Sequence, residues 1–551
     1  MDPEKTLLAS TSGAETDAMD YGSISTVCSR EHEHEHDQEK LLTSVVDVKD
    51  LEDSDKPFAG YGELQALLDE GPSSWTLDEE RRVRRKTDIR VMTWACMMFF
   101  SLQLNRINIV NVLTTDFLMD VHMEPNDYNL AQTIFVTCFL LFEIPTQIMT
   151  TIMGPEIWIP TMMTLWASVG FLQTFVTSKT TYLITRGFLG VCEGGFVPGL
   201  VLYTTSFYKS NEMSVRLALL WTTNYLTNVI SALLASVIFK MDGINGWHDW
   251  QWLFFLEGIL TISIGISTFF LLPSFRRSNI SGFFTPREQA VLRARVILDD
   301  PSKARALESS KKVNLGKFQL RDVFNTLTDK FLFPIFILGF LGFVPSVAAY
   351  QFLTIMFRSF GYGTLESNLL VIPANVLLIL CMLTASHFAD KYRRRWWVPI
   401  VAMAWCLPFV IILLALPDET SRWVRVFCIT FIVGFPYYTP ILMSWISANS
   451  NDQHKRALAV AIYNIGVQFG NITSANVYRS DDAPYYRRGN AILIGIGVFV
   501  IGLALFVRWM YKNENRRREA VWNGMTELER LHYSATTTDR GNRRLDFRLK
   551  L

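Results

Sequence analysis

The chain is 551 residues long, half of it apolar and 13% aromatic, and 52 basic residues balance 52 acidic ones to a formal net charge of zero. That composition belongs to membrane proteins, and the charge balance gives no reason to expect nucleic acid as a partner. Of the seven cysteines, Cys96, Cys138, Cys192, Cys381, Cys406 and Cys428 fall inside apolar runs without framework or ligand spacing, so neither a disulfide scaffold nor a zinc site is expected.

Residues 1–87 form a polar N-terminal segment with no basic region leading into an apolar stretch, which argues against a cleaved signal peptide. Residues 1–75 read as disordered. Within them "EHEHEHD" (31–37) offers His32, His34 and His36 to a metal, although alternating Glu and His in an acidic tail is ordinarily just solvated, and no metal or cofactor is expected. "TLDE" at Thr76 carries the Thr-x-x-Glu signature of a helix start, as do "TPRE" at Thr285, with Pro286 at the first helical position, and "TELE" at Thr526. These three segments read as short cytoplasmic helices, either lying on anionic lipid through their basic residues or simply solvated.

Twelve apolar runs are each long enough to cross a hydrocarbon core of about 30 Å. The first six are 91–112, 129–150, 157–177, 182–203, 217–239 and 251–272. The second six are 329–357, 366–388, 397–416, 423–446, 457–477 and 490–511. The expected fold class is therefore an all-α membrane protein of twelve transmembrane helices in two six-helix bundles, 88–272 and 329–511, joined by a cytoplasmic connector 273–328 and followed by a cytoplasmic tail 512–551. Lysine and arginine collect before the first run, in the connector, in "DKYRRR", in "HKR" and in "NENRRR", which puts both termini in the cytoplasm. The halves correspond in outline, as in transporters built from structural repeats.

A charge at the bilayer centre costs about 2.5–3.5 kcal/mol, so those present face a partner or a water-filled cavity. Arg106 lies in the first run, Glu143 in the second, Arg186 and Glu193 in the fourth and Glu257 in the sixth. Arg106, flanked by Asn105, Asn108 and Asn111, offers the planar donors that suit a carboxylate, sulfonate or phosphate. The competing reading is a permanent pair between Arg106 and a neighbouring glutamate. Arg186 precedes Glu193 by two helical turns, so both share a face. That arrangement suits either a proton carrier biased by a cation or a salt bridge that staples helices. Trp221, Tyr350, Tyr437 and Trp445 are aromatic candidates for a cavity wall. No Gly-x-Ser-x-Gly elbow, His-Glu-x-x-His or phosphate loop appears, so no enzymatic activity is expected.

"LNRINIVNV" resembles the first-helix signature Asp-Arg-x-Asn-Ile-x-Asn-Ala of the fungal allantoate permease family, among the anion:cation symporters of the major facilitator superfamily. "LFEIPTQI", "GPEIWIP", "RGFLGVCEGGFVPG", "WQWLFFLEG" and "LMSWISANSNDQHKRA" resemble its later landmarks in order, and "DRGNRRLDFRLKL" is similar to the tail of a branch associated with sulfonates and other sulfur compounds. The resemblance implies alternating access and proton-driven import of a small organic anion across the plasma membrane by a chain that works as a monomer among membrane lipids. Carried onto the matching position, it implies Arg106 as the anion ligand; from the residues themselves Asn108 and Asn111 are read as shaping the site, and Tyr350, Gln351 and Trp445 as lining it from the second half. It implies proton coupling through Glu193, Arg186 and Glu143, and a gate at Asp390, Arg393 and Arg394. Arg186, Gly190, Glu193 and Gly194 also match the Arg-x-x-x-Gly-x-x-Glu-Gly of sialin-type carriers. Two departures stand out: Asn105 replaces the usual aspartate, and "GPEIWIP" lacks the basic pair that usually follows it. A nutrient receptor with a transporter fold and an efflux carrier remain alternatives.

Overall fold

Each apolar run folds as one helix or as two pieces of one. The computed structural model describes residues 61–113, 115–274, 283–300, 303, 320–353, 356–357, 360–362, 364–417, 419–478, 482, 485–537, 539 and 541–551, all within the unit Val48–Leu551. The histidines of "EHEHEHD" lie outside the described residues. In the first half the helices are Thr93–Val112, Pro125–Met153, Pro155–Leu172, Lys179–Glu193 continued by Phe196–Thr205, Met213–Ile238 and Asp249–Leu271. In the second they are Phe333–Leu341 continued by Val344–Gln351, Thr364–Lys391, Trp397–Ala415, Arg422–Val433 continued by Thr439–Ser450, Gln453–Ala475 and Arg487–Asn523. They are numbered below as the first to twelfth helices. Eight helical stretches among the described residues, including Asp127–Met153, Lys179–Thr205 and Trp397–Ala415, are long and apolar enough by themselves to cross a membrane.

The breaks fall where the sequence cannot sustain a ladder. In the fourth helix Gly195 takes φ +77°, a left-handed conformation that costs a residue without Cβ little. The tenth helix is interrupted between Gly434 and Pro440, where two prolines withhold their backbone N–H donors. The fourth helix also approaches the second very closely, because a Cβ on Gly190 would lie 2.4 Å from the Phe135 carbonyl oxygen. Between halves, the fifth helix packs on the eighth and tenth, and the second on the eleventh.

The three Thr-x-x-Glu signatures all start helices, with Thr76, Thr285 and Thr526 each accepting from the backbone N–H three residues on. The helix begun at Thr285, Pro286–Asp299, does not rest on lipid or face solvent. Ala290 to Ile297 are buried against two further helices, Tyr61–Glu70 and Leu77–Thr87. The first of these lies in the stretch expected to be disordered, and it folds because Leu64 and Leu67 have an apolar partner surface. Burying such side chains stabilises by about 1.5–3 kcal/mol each. Ion pairs fix the orientation: Lys86 Nζ to Glu288 at 2.7 Å, Arg287 to Glu79 at 3.0 Å, and the fully buried Arg295 to Glu212 at 3.1 Å. The face of the molecule that carries this helix is called the connector side below.

Candidate functional site

Arg106 lies 13 residues after Thr93, about 20 Å along the first helix, and meets Glu193, which stands halfway along the fourth helix and so near the middle of the bundle. Its Nε donates to Glu193 Oε2 at 2.7 Å. Glu193 is the last residue of the first piece of the fourth helix, so the break at Gly194 and Gly195 places its carboxylate. The two side chains form a pair, and it is incomplete. Arg106 Nη2 and Glu193 Oε1 are both buried without a protein partner.

The second helix frames this pair. The Arg106 guanidinium lies 5.0 Å from the Phe139 ring and 5.9 Å from Phe135, while Arg186 lies over the other neighbour of that wall, 4.6 Å from Phe135. Phe135 thus stands against two cations, each attracted to its ring. Arg186 does not bond Glu193 despite their shared face. Its Nη2 donates to Gln132 Oε1 at 2.8 Å. Three turns further along the second helix, Glu143 Oε1 accepts from Asn464 Nδ2 of the eleventh helix at 2.7 Å, a bond between the two halves. Glu143 Oε2 and both amide atoms of Gln147 are buried and unpaired.

The asparagines beside Arg106 fix helices together. Asn111 Nδ2 donates to Ser231 Oγ at 2.8 Å, and Ser231 Oγ donates to Asn108 Oδ1 at 3.1 Å, which ties the first helix to the fifth. From the fifth helix Tyr225 reaches across, with its ring edge-on to Tyr350 at 6.2 Å and to Tyr437 at 6.4 Å. Gln351 is exposed, and its Nε2 donates to the Asn471 carbonyl at 3.5 Å. Trp445 does not join this cluster. It is fully buried on the connector side, where Nε1 donates to the Lys550 carbonyl at 2.7 Å, because the second piece of the tenth helix has already passed the middle of the bundle.

At the connector side the residues read as a gate are placed differently from one another. Asp390 accepts from the Ser214 and Val215 amides at 3.3 and 2.9 Å, capping the positive end of the fifth helix from the other half. Its cationic neighbour is the buried Arg395, 3.8 Å away, which also donates to the Ser210 carbonyl. Arg393 and Arg394 are exposed, since Arg393 turns with φ +52° and the chain then buries the third arginine. Sequence reasoning also missed Gln132, Gln147 and Asn464. The one available signal was their helical spacing from charges already singled out, Glu143 to Gln147 being one turn.

Residues 95–475 match the family model described as Major Facilitator Superfamily. The chain belongs to this superfamily. It is 35% identical over 484 residues, 86% of its own length and 88% of the relative's, to the uncharacterized transporter YIL166C of Saccharomyces cerevisiae. The superfamily fold recurs in solved structures. FucP in the outward conformation covers 76% of this chain and 98% of its own at a TM-score of 0.57 and 12% identity. The proton:xylose symporter XylE covers 76% and 94% at a TM-score of 0.53 and 13% identity. Membership makes this chain a multi-pass membrane transporter for a small molecule, not an enzyme.

Proposed function

We propose that this superfamily member imports a small organic anion, a carboxylate or sulfonate, together with a proton by alternating access, in keeping with its resemblance to the allantoate permease family. The observation that carries the reading is the incomplete Arg106–Glu193 pair: a guanidinium nitrogen and a carboxylate oxygen, both buried and both without a protein partner, near the middle of the bundle. An anion that takes the guanidinium displaces Glu193, and a carboxylate left alone in an apolar site is stabilised by taking a proton. Substrate and proton then enter together. Arg186 biases the site electrostatically while Gln132 holds it in place. The Glu143–Asn464 bond links the same helices to the opposite half, and Tyr225, Tyr350 and Tyr437 supply its aromatic wall. The basic loops on the connector side support a cytoplasmic orientation for that side, in a chain read as a plasma-membrane protein.

The test is proton uptake from weakly buffered medium by cells expressing the chain, challenged with a panel of carboxylates and sulfonates. One anion should alkalinise the medium, and Arg106→Ala and Glu193→Gln should each abolish the signal. If no anion moves protons while the protein reaches the surface, coupled import is overturned and export becomes the leading reading.

A further inference from the structure

Residues 541–551 return from the helix Glu527–Thr536 to the connector side and lie in a groove built for main chain. Arg518, itself buried, donates to the carbonyls of Arg544 and Phe547 at 3.2 and 2.8 Å. The Asn515 amide exchanges both its bonds with Leu549 at 2.8 and 2.9 Å. Asn449 does the same with Lys550 at 3.0 and 2.8 Å, and the Trp445 indole adds a second donor to the Lys550 carbonyl. Asn449 and Trp445 are fully buried, so a departing segment would take from the Asn449 Oδ1 and the Trp445 indole N–H the partners they have here. All four receptor side chains belong to the second half.

One side chain of the segment crosses to the first half. Lys550 Nζ donates to Ser210 Oγ at 3.0 Å, and that hydroxyl donates in turn to Asp299 Oδ2 at 2.7 Å. Burial alone would raise the Asp299 carboxyl, but Lys550 and Lys303 beside it hold it well below the usual carboxylate range, so the acceptor stays charged. Ser210 sits in the turn before the fifth helix, four residues from the Ser214 amide that Asp390 caps.

We propose that residues 541–551 are an intramolecular strap that keeps the connector side closed, seated on the second half through its main chain and latched by Lys550 to Ser210 of the first half, which Asp299 of the connector helix holds. Any opening of that side separates Ser210 from Asn449, and the latch must break. A hydrogen bond from a charged donor corresponds to roughly a ten- to hundredfold shift in such an equilibrium. The strap acts on conformation whatever the substrate is, so its test is independent of the anion reading.

Hydrogen exchange of the Ser214 and Val215 amides in the purified full chain reports the closed state directly. Deletion of residues 544–551 and the milder Lys550→Ala should each speed exchange at these two amides, by roughly tenfold or more for the deletion. A synthetic peptide of residues 544–551 added to the deleted chain should restore protection, and the same peptide carrying Lys550→Ala should not. Unchanged exchange in Lys550→Ala overturns the latch even if the deleted chain fails to fold. Equal restoration by both peptides overturns it as well.

Discussion

Arg106 and Glu193 meet across the first and fourth helices with Nε and Oε2 2.7 Å apart, and each keeps one polar atom in reserve. Breaking a buried pair from one side leaves an uncompensated charge, typically costing about 3–5 kcal/mol, whereas removing both charges costs less. Arg106→Gln and Glu193→Gln should therefore each lower the melting temperature of the purified protein, and the double variant should recover much of that loss. Transport should be lost in all three. A double variant no more stable than either single one would show that the pair is not the local source of stability.

The gate offers a contrast inside one short loop. Asp390 caps the fifth helix with both carboxylate oxygens, while Arg393 and Arg394 are exposed. Losing a capping side chain costs about 0.5–2 kcal/mol, and exposed substitutions usually stay within about 0.5 kcal/mol. Asp390→Ala should lower both the melting temperature and the uptake rate, and Arg393→Ala and Arg394→Ala should alter neither. An Arg394→Ala variant as impaired as Asp390→Ala would restore the exposed arginines to the gate.

The helix spacing of the first half makes a further prediction at Gly190. A Cβ there would lie 2.4 Å from the Phe135 carbonyl oxygen and 2.9 Å from Cys138 Cβ, with backbone that cannot yield cheaply. At Gly187, three residues earlier, the nearest atom would be Ile134 Cγ2 at an ordinary 3.5 Å. Gly190→Ala should destabilise by about 1–3 kcal/mol through overpacking, and Gly187→Ala should be tolerated. Melting curves of the two variants side by side decide it. Because Phe135 also stands against Arg106 and Arg186, the Gly190 variant should lose transport beyond its loss of folded protein.

What the sequence revealed depended on contrast. A charge in an apolar run is conspicuous, so Arg106, Glu143, Arg186 and Glu193 were legible, and all four are hydrogen-bonded to side chains of other helices. Which atoms they meet was not legible, because Gln132 and Asn464 are neutral amides whose placement depends on how helices distant in sequence are packed. Arg395 was hidden among three consecutive arginines that only the turn after Asp390 distinguishes. The Thr-x-x-Glu boxes located helix starts correctly, since capping is local. The burial of Pro286–Asp299 depended on a surface supplied by Tyr61–Glu70 more than 200 residues earlier.

On the connector side, Asp329 ties the seventh helix to the eleventh helix and to the strap. Lys455 Nζ lies 2.7 Å from its Oδ2, the Asn542 amide donates to Oδ1 at 3.2 Å, and the Phe331 amide adds a third bond. Burial pushes this carboxyl up, but Lys455, Asn542 and the Phe331 amide outweigh it and leave it below its usual value. A carboxyl whose folded value is depressed contributes stability that is present above its unfolded value, near pH 4, and is lost as pH falls through the folded one. Asp329→Asn should therefore be less stable than the parent chain at pH 7, by roughly 1–3 kcal/mol, and melt lower. That gap should persist down to about pH 4 and narrow only below it. A gap that closes already between pH 7 and pH 5 would mean that another group, titrating nearer neutrality, holds this junction together.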